Sequence, residues 1–558
     1  METIELSRGP DLESLDAGDI VKADRLVEEE AFEIYGNQQS AAEYGYVARD
    51  LNARQLQFIA IGGAIGTGLF LGIGRALTQA GPLSLFLGYT VTGIAVYGMM
   101  QGLGEMATWL PLPGAIPQFC ARYVDESLGF AVGWNAWYNS TIIMCAEISA
   151  ASVVIQYWHG VANINVAAWI SIIIVLIVLL NIFAVTIFGE AEFIFAVIKI
   201  VTLIGLLILA LIIDVGGVPG QPRLGFHYWK SPGAMKTYKS PGDLGRFLGL
   251  WSTLTNSAFS YNGVEMIAAT SGEAQNPRRN VPKAVRRLFW RILFFYVLGS
   301  LAIGVLVPYN DTNLLRAQAS GSAGAAQSPW VIAIVRAHIS ALPSIVNAVI
   351  LTSAASSGNA LLYIGSRYLF SMAQLGQAPR FLRKCTDRGI PYWCVTITAA
   401  FSGLTYLSCG DSASVAFTWF QNLATLSGLL TWWSVLLAHL RFQSALKAQG
   451  IDRNTLVFKA PFQPYLTIGC LFYFSLVMFF NGFYVFMPWS AKDFVTCYVG
   501  LPIFVGLYAF WKILKRTRIV KPETADLHSG KQALDAMEGT WPERKPSNLW
   551  ERIVDWIC

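Results

Sequence analysis

Between Gln55 and Gly74 the chain carries no charge, yet Gly62, Gly63, Gly66, Gly68, Gly72 and Gly74 crowd the run. An uncharged stretch of about 20 residues is long enough to cross a bilayer as a helix. Each glycine costs a helix roughly 0.8–1 kcal/mol against alanine. A helix broken here leaves main-chain N–H and C=O groups at membrane depth, where lipid offers them no partner. The break must therefore line a cavity inside protein or hold a ligand. Interrupted spans of this kind mark substrate sites in secondary transporters.

The rest of the chain fits that setting. Of its 558 residues 13% are charged, against about 25% in ordinary soluble domains. Mean hydropathy is +0.47. Twelve apolar segments are predicted, at about 55–76, 81–107, 127–158, 166–187, 190–214, 247–271, 288–308, 339–372, 391–409, 413–438, 464–487 and 494–511. The domain reading is an acidic, mostly disordered tail over 1–50, a transporter domain over 51–515, and a polar C-terminal tail over 516–558. The first tail has thirteen acidic residues against four basic ones, a composition that does not bury a core.

Lys and Arg fix the expected orientation, because cytoplasmic loops collect them. With the N-terminus inside, the 6–7 loop holds Arg278, Arg279, Lys283, Arg286 and Arg287, and the 8–9 loop holds Arg380, Arg383, Lys384 and Arg388. The 3–4 and 9–10 loops hold no Lys or Arg. Both tails are expected in the cytosol. Eight cysteines are scattered with no CxxC pair, so neither a disulfide framework nor a metal site is indicated. No cofactor and no nucleic-acid partner is expected. There is no HExxH, no P-loop and no nucleophile elbow to suggest an enzyme.

A second break is expected in segment 6, at Phe259-Ser260-Tyr261-Asn262-Gly263-Val264-Glu265. Corresponding breaks five helices apart point to an inverted repeat with a central site. The half-helix that starts near Gly68 would present free N–H groups to a carboxylate bound at Gly66, Thr67 and Gly68. Unwound carbonyls near Ser260 could accept from an ammonium. One pocket would then suit a zwitterionic α-amino acid. The competing reading is that the glycines only let helices pack closely.

Three charges lie within the apolar segments: Glu147, Lys199 and Glu265. Each costs roughly 2.5–3.5 kcal/mol or more against lipid, so each should face the bundle interior. Lys199 either exchanges a proton or is a fixed structural cation. Glu147 and Glu265 either shuttle a proton or recognise the substrate amine. Glu105, at the inner end of segment 2, is read as interfacial. Phe259 and Tyr261 either gate the pocket or pack in the core. Ser356, Ser357 and Asn359 either line the cavity or bond between helices.

These residues resemble the fungal amino-acid permeases of the amino-acid–polyamine–organocation superfamily. The resemblance covers about residues 50 to 515 and rests on Gly62 to Phe70, Gly104-Glu105-Met106-Ala107, Gly189 to Phe193, Phe259 to Glu265, Gly272 to Arg278 and Ser366-Arg367-Tyr368-Leu369. It implies an all-α membrane protein of twelve transmembrane helices, a five-plus-five inverted repeat, and broken helices 1 and 6. It implies proton-driven amino-acid uptake at the plasma membrane by alternating access. It places the substrate carboxylate on Gly66, Thr67 and Gly68 and the amine near Phe259, Ser260, Tyr261 and Gly263. It matches Lys199 to a lysine standing where relatives bind sodium, and Glu147 to an acidic position implicated in recognition. A polyamine or carnitine permease, or a non-transporting nutrient receptor on the same fold, are the alternatives. Lys22, the one lysine before segment 1, is a candidate acceptor for ubiquitin-ligase machinery, with a plain solvated tail as the alternative. The family's lipidated terminal cysteine has only a partial counterpart in Asp555-Trp556-Ile557-Cys558.

Overall fold

The computed structural model describes residues 65–531, apart from 113, 159, 161–163, 184, 220, 270, 274–275, 320–327, 387–388, 410–412 and 530. Gly62, Gly63, Lys22, Cys558 and most of both tails lie outside the described residues. Regular structure among the described residues is helical, with one isolated bridge, Phe486 to Trp489, and no strand. In chain order the helices that matter below are α1 (Ile73–Ala80), α2 (Pro82–Trp109), α3 (Ala115–Tyr123), α4 (Glu126–Ile155), α5 (Val166–Phe183), α6 (Val185–Asp214), α7 (Gly242–Tyr261) and α8 (Met266–Ala269). They continue as α9 (Pro277–Arg291), α10 (Leu298–Leu306), α11 (Thr312–Ala319), α12 (Pro329–Arg336), α13 (Leu342–Gln374), α14 (Tyr392–Phe401), α15 (Ala413–Ala448), α16 (Tyr465–Phe479), α17 (Ala491–Tyr498) and α18 (Gly500–Lys515).

Seven of these stretches are long and apolar enough to cross a membrane, and α17 with α18, bent by 44°, make an eighth. The apolar helix Val166–Ile182 is shorter. Segments 6 and 9 are each interrupted, and the described part of segment 1 begins with a bend at Ile65 and Gly66 followed by a π-helical turn over Gly68–Gly72. Segment 9 passes from α14 into a 3-10 turn over Ser402–Cys409.

Burial sorts the spans by role. The apolar window of α4 is 89% buried, whereas that of Glu192–Asp214 is 33% buried and has a mean hydropathy of 2.9. So α4 is the central post, packed along α13 and α15, while α6 turns much of its surface outward. A charge on α4 therefore meets protein on all sides. The polar start of α4 is capped by Asp125, which accepts from the Ser127 N–H, satisfying one of the free donors of a helix N-terminus.

The sequence placed Arg278 to Arg287 in a loop. They lie instead on α9, which begins at Pro277, a residue suited to the first helical turn. The C-terminal stretch read as tail is also built in. Val520 N–H donates to the Val124 carbonyl, Gln449 Nε2 bonds the Pro522 and Ala525 carbonyls, and Trp109 Nε1 bonds the Leu527 carbonyl. Arg122 pairs with Asp526 at 2.9 Å, and Leu527 is fully buried. Residues 517–529 thus form a strap joining the ends of α2, α3 and α15.

Candidate functional site

Segment 1 is not a regular rod. Ile65 and Gly66 form a bend, and Gly68–Gly72 form a π-helical turn before α1 begins. Such turns are rare and cluster at functional sites. Segment 6 is broken as expected. α7 ends at Tyr261, Asn262 is extended (φ −61°, ψ 138°), and Gly263 has φ 98°, a conformation that glycine adopts without strain.

The two breaks touch. A Cβ on Gly68 would lie 2.9 Å from Ser260 Cα, so only a glycine lets the chains approach this closely. Ser260 in turn shares a 2.8 Å hydrogen bond with the Tyr89 hydroxyl.

Glu147 reaches this junction from α4. The main-chain N–H of Thr67 donates to both of its oxygens, at 3.1 and 3.2 Å. A Cβ on Gly66 would lie 2.1 Å from Glu147 Oε1. Glycine at 66 is what admits a carboxylate to this stretch of backbone. The Thr67 hydroxyl is buried beside the same carboxylate. Two nearby carbonyls are satisfied from other helices: Ser353 Oγ donates to the Ile65 oxygen at 3.1 Å, and Asn256 Nδ2 to the Gly72 oxygen at 3.1 Å.

Behind Glu147 stands Lys199, which is 1% exposed. Its electrostatic partners are Glu192 and Glu147. Glu192 accepts from Ser356 Oγ at 2.8 Å and from Asn359 Nδ2 at 2.9 Å, and Asn181 Nδ2 donates to Asn359 Oδ1 at 2.7 Å. Ser356 and Asn359 are therefore interhelical bonding groups. Glu192 was not singled out from sequence. The available signal was its spacing: seven residues before Lys199, two helical turns away on the same face.

The other candidates separate. Glu265 accepts from the Gly263 N–H at 3.2 Å and from Trp432 Nε1 at 3.0 Å, so it satisfies the opened backbone of its own span. Tyr261 donates from its hydroxyl to the Tyr89 carbonyl at 2.9 Å and packs 4.3 Å from the Tyr296 ring, facing segments 2 and 7. Phe259 meets Phe417 edge-on at 6.1 Å. Glu105 receives Arg453 through two nitrogens at 2.8 and 2.7 Å, plus the Ala460 N–H at 2.9 Å, and so anchors the loop after α15.

The cavity beside Gly263 and Glu265 measures only about 10 Å³, room for about one water. A far larger cavity, about 360 Å³, opens further along segment 1 and is lined by Gly72, Arg75 and Phe417 among others. At the central junction the Glu147 carboxylate occupies the Thr67 N–H. Chemically the junction offers a main-chain donor that already holds a carboxylate, a buried hydroxyl beside it, and two acids beside one buried base.

The family described as amino acid permease matches residues 55–522. The chain is 43% identical over 520 residues to a proline-specific permease of Emericella nidulans, covering 92% of this chain and 94% of that one. It is 44% identical over 502 residues to a probable proline-specific permease of Schizosaccharomyces pombe, covering 89% and 90%. A lysine-specific permease of Saccharomyces cerevisiae is 40% identical over 519 residues, covering 92% and 84%.

Proposed function

The chain belongs to the amino acid permease family, and from that premise we propose that it imports amino acids across the plasma membrane, driven by protons, by alternating access. The observation that carries the proposal is the Glu147 carboxylate on the Thr67 N–H. A site that holds a side-chain carboxylate on bare main chain has the chemistry to hold the α-carboxylate of a substrate.

In this reading Glu147 is a placeholder. The substrate carboxylate takes its position on Gly66, Thr67 and Gly68, with the Thr67 hydroxyl as an added donor. The ammonium is received at Ser260 and the segment 6 break, near Phe259, Tyr261 and Gly263. Glu147 then swings away and must be accommodated near Lys199 and Glu192. Two carboxylates and one ammonium carry one negative charge in excess. A proton on Glu147 removes that excess at the moment the substrate carboxylate arrives. Two like charges crowded together disfavour double ionisation, so substrate and proton enter together. Glu265, bonded to Trp432 and Gly263, steadies the break in this scheme.

The remaining topology follows the same proposal. Seven long apolar helices, one bent pair, the shorter Val166–Ile182 helix, the bent segment 1 and interrupted segments 6 and 9 support twelve spans, with the first ten as an inverted repeat and both termini cytosolic. The relatives' names make proline the first substrate to test and lysine the second. The test is uptake of labelled proline in cells lacking their own permeases, with and without a protonophore. Uptake abolished by the protonophore is expected. Uptake indifferent to it would refute proton coupling, and no uptake of any amino acid would refute the transport reading.

A further inference from the structure

Segment 1 regains charge soon after its break. Arg75, in α1, ends the uncharged run. With Gln79, Gln318, Thr418, Gln421 and Asp493 it lines the cavity of about 360 Å³, a volume within the usual range of small-molecule sites. With the termini in the cytosol this vestibule opens outward.

Its charges are unusual in their arrangement. The Arg75 guanidinium makes one hydrogen bond, from Nη1 to Thr418 Oγ1 at 3.2 Å. Among the described residues no carboxylate lies at ion-pair distance from it, and no cation lies at that distance from Asp493. Two opposite charges line one cavity without meeting. Guanidinium presents a flat fork of donors suited to a carboxylate, and most of that fork is unused. A small ligand carrying both an anion and a cation has a partner for each in this cavity. An α-amino acid is such a ligand.

Hydrogen bonds link the vestibule to the central junction. A narrower cavity of about 30 Å³ shares Arg75, Gln79 and Gln421 and reaches Asn256. Asn256 donates to the Gly72 carbonyl and accepts from the Tyr89 hydroxyl at 3.3 Å, and Tyr89 bonds Ser260. Phe259 and Phe417 are in edge contact, with Phe417 on the vestibule wall.

We propose that the vestibule is a second amino-acid site, an entry subsite that takes the α-carboxylate on Arg75 and the α-ammonium on Asp493 before the substrate passes to Thr67. This rests on the transport reading above and adds a binding step to it.

The test uses the purified full chain with labelled L-proline as probe. Gly68→Val blocks the central junction, since a Cβ there already meets Ser260 Cα at 2.9 Å. Saturable binding is expected to persist in Gly68→Val. Adding Arg75→Gln or Asp493→Asn should weaken it about tenfold or more, the loss of one charge-assisted contact, and Arg75→Lys should recover part of it. Prolinamide, which lacks the carboxylate, should not compete. Absence of saturable binding in a folded Gly68→Val protein would overturn the proposal, as would binding indifferent to Arg75→Gln. Should Gly68→Val fail to fold, initial rates decide. Arg75→Gln alone is then expected to raise KM about tenfold with Vmax within about twofold, and an unchanged KM would overturn the proposal. Full-rate transport by Gly68→Val would refute the central site instead, and the Arg75→Gln KM would still decide the vestibule.

Discussion

The carboxylate of Glu147 rests on the main-chain N–H of Thr67, with both oxygens within 3.2 Å of that nitrogen. The two residues are eighty positions apart, and the contact joins the central post of the bundle to the bent first span. A carboxylate on bare backbone shows directly what kind of group this turn can hold.

Glycine at 66 and 68 should be indispensable. A methyl at 66 would stand 2.1 Å from Glu147 Oε1, and one at 68 would press on the main chain of Ser260 at 2.9 Å. Overpacking of this kind costs about 1–3 kcal/mol. Gly66→Ala and Gly68→Ala are each expected to cut uptake about tenfold or more at unchanged surface level, read by labelled-proline uptake beside surface biotinylation. Gly205→Ala, on the outward-facing α6, is the control, because a Cβ there meets nothing within 4 Å.

Glu147→Gln keeps the shape of the side chain and removes its proton chemistry. In a proton-coupled carrier it should lose the response to an imposed pH gradient, while exchange of internal for external substrate persists. Reconstituted vesicles loaded with unlabelled proline separate the two activities. Gradient-driven accumulation by the Gln variant at the wild-type level would exclude Glu147 as the coupling group.

Arg453 neutralises the buried Glu105 through two hydrogen bonds, and His439 Nε2 lies 3.5 Å from the same carboxylate. Removing one partner of a buried pair leaves the other charge uncompensated. Arg453 is 26% exposed, so water recovers part of the loss. Arg453→Ala is expected to destabilise the protein by about 2–3 kcal/mol, seen as a lower melting temperature in detergent. Arg453→Ala with Glu105→Gln should recover part of that loss.

The strap should respond to acid in a defined direction. Burial works against the charge of Asp125, but the hydrogen bonds from Lys512, Thr517 and the Ser127 N–H outweigh it and hold the carboxyl below its usual range. Asp526 is likewise held low, with burial opposed by the Ser529 N–H and the Arg122 charge. A carboxyl lowered by folding adds stability above its unfolded pKa and loses it as pH falls through the lowered value. Hydrogen exchange over residues 517–529, corrected for the intrinsic pH dependence of amide exchange, should therefore stay constant from about pH 8 to pH 5 and quicken below about pH 4. Asp125→Asn should quicken it at neutral pH.

Much of this arrangement was legible in the sequence, and what escaped did so for physical reasons. Glycine density marked the first break, because few other needs put six glycines in an apolar span. Buried charges stand out in uncharged runs, which exposed Glu147, Lys199 and Glu265. Glu192 was overlooked because it sits near the start of its apolar window, where a charge also suits the membrane interface. Glu265 belongs to its own backbone break, a local bond that composition does not reveal. Helix α15 runs ten residues past the expected end at 438, since hydropathy stops at the bilayer and the helix does not. The strap escaped because its contacts are mostly main-chain carbonyls that accept from Trp109, Gln449 and Arg441, and carbonyls carry no side-chain signature.

The central claim is that a substrate carboxylate displaces Glu147 from Thr67. A structure of the protein with proline bound tests it most directly. The account requires the substrate carboxylate within about 3.2 Å of the Thr67 nitrogen, a normal hydrogen-bond distance, with Glu147 turned toward Lys199. Proline bound at its transport site while Glu147 still holds the Thr67 N–H would contradict it.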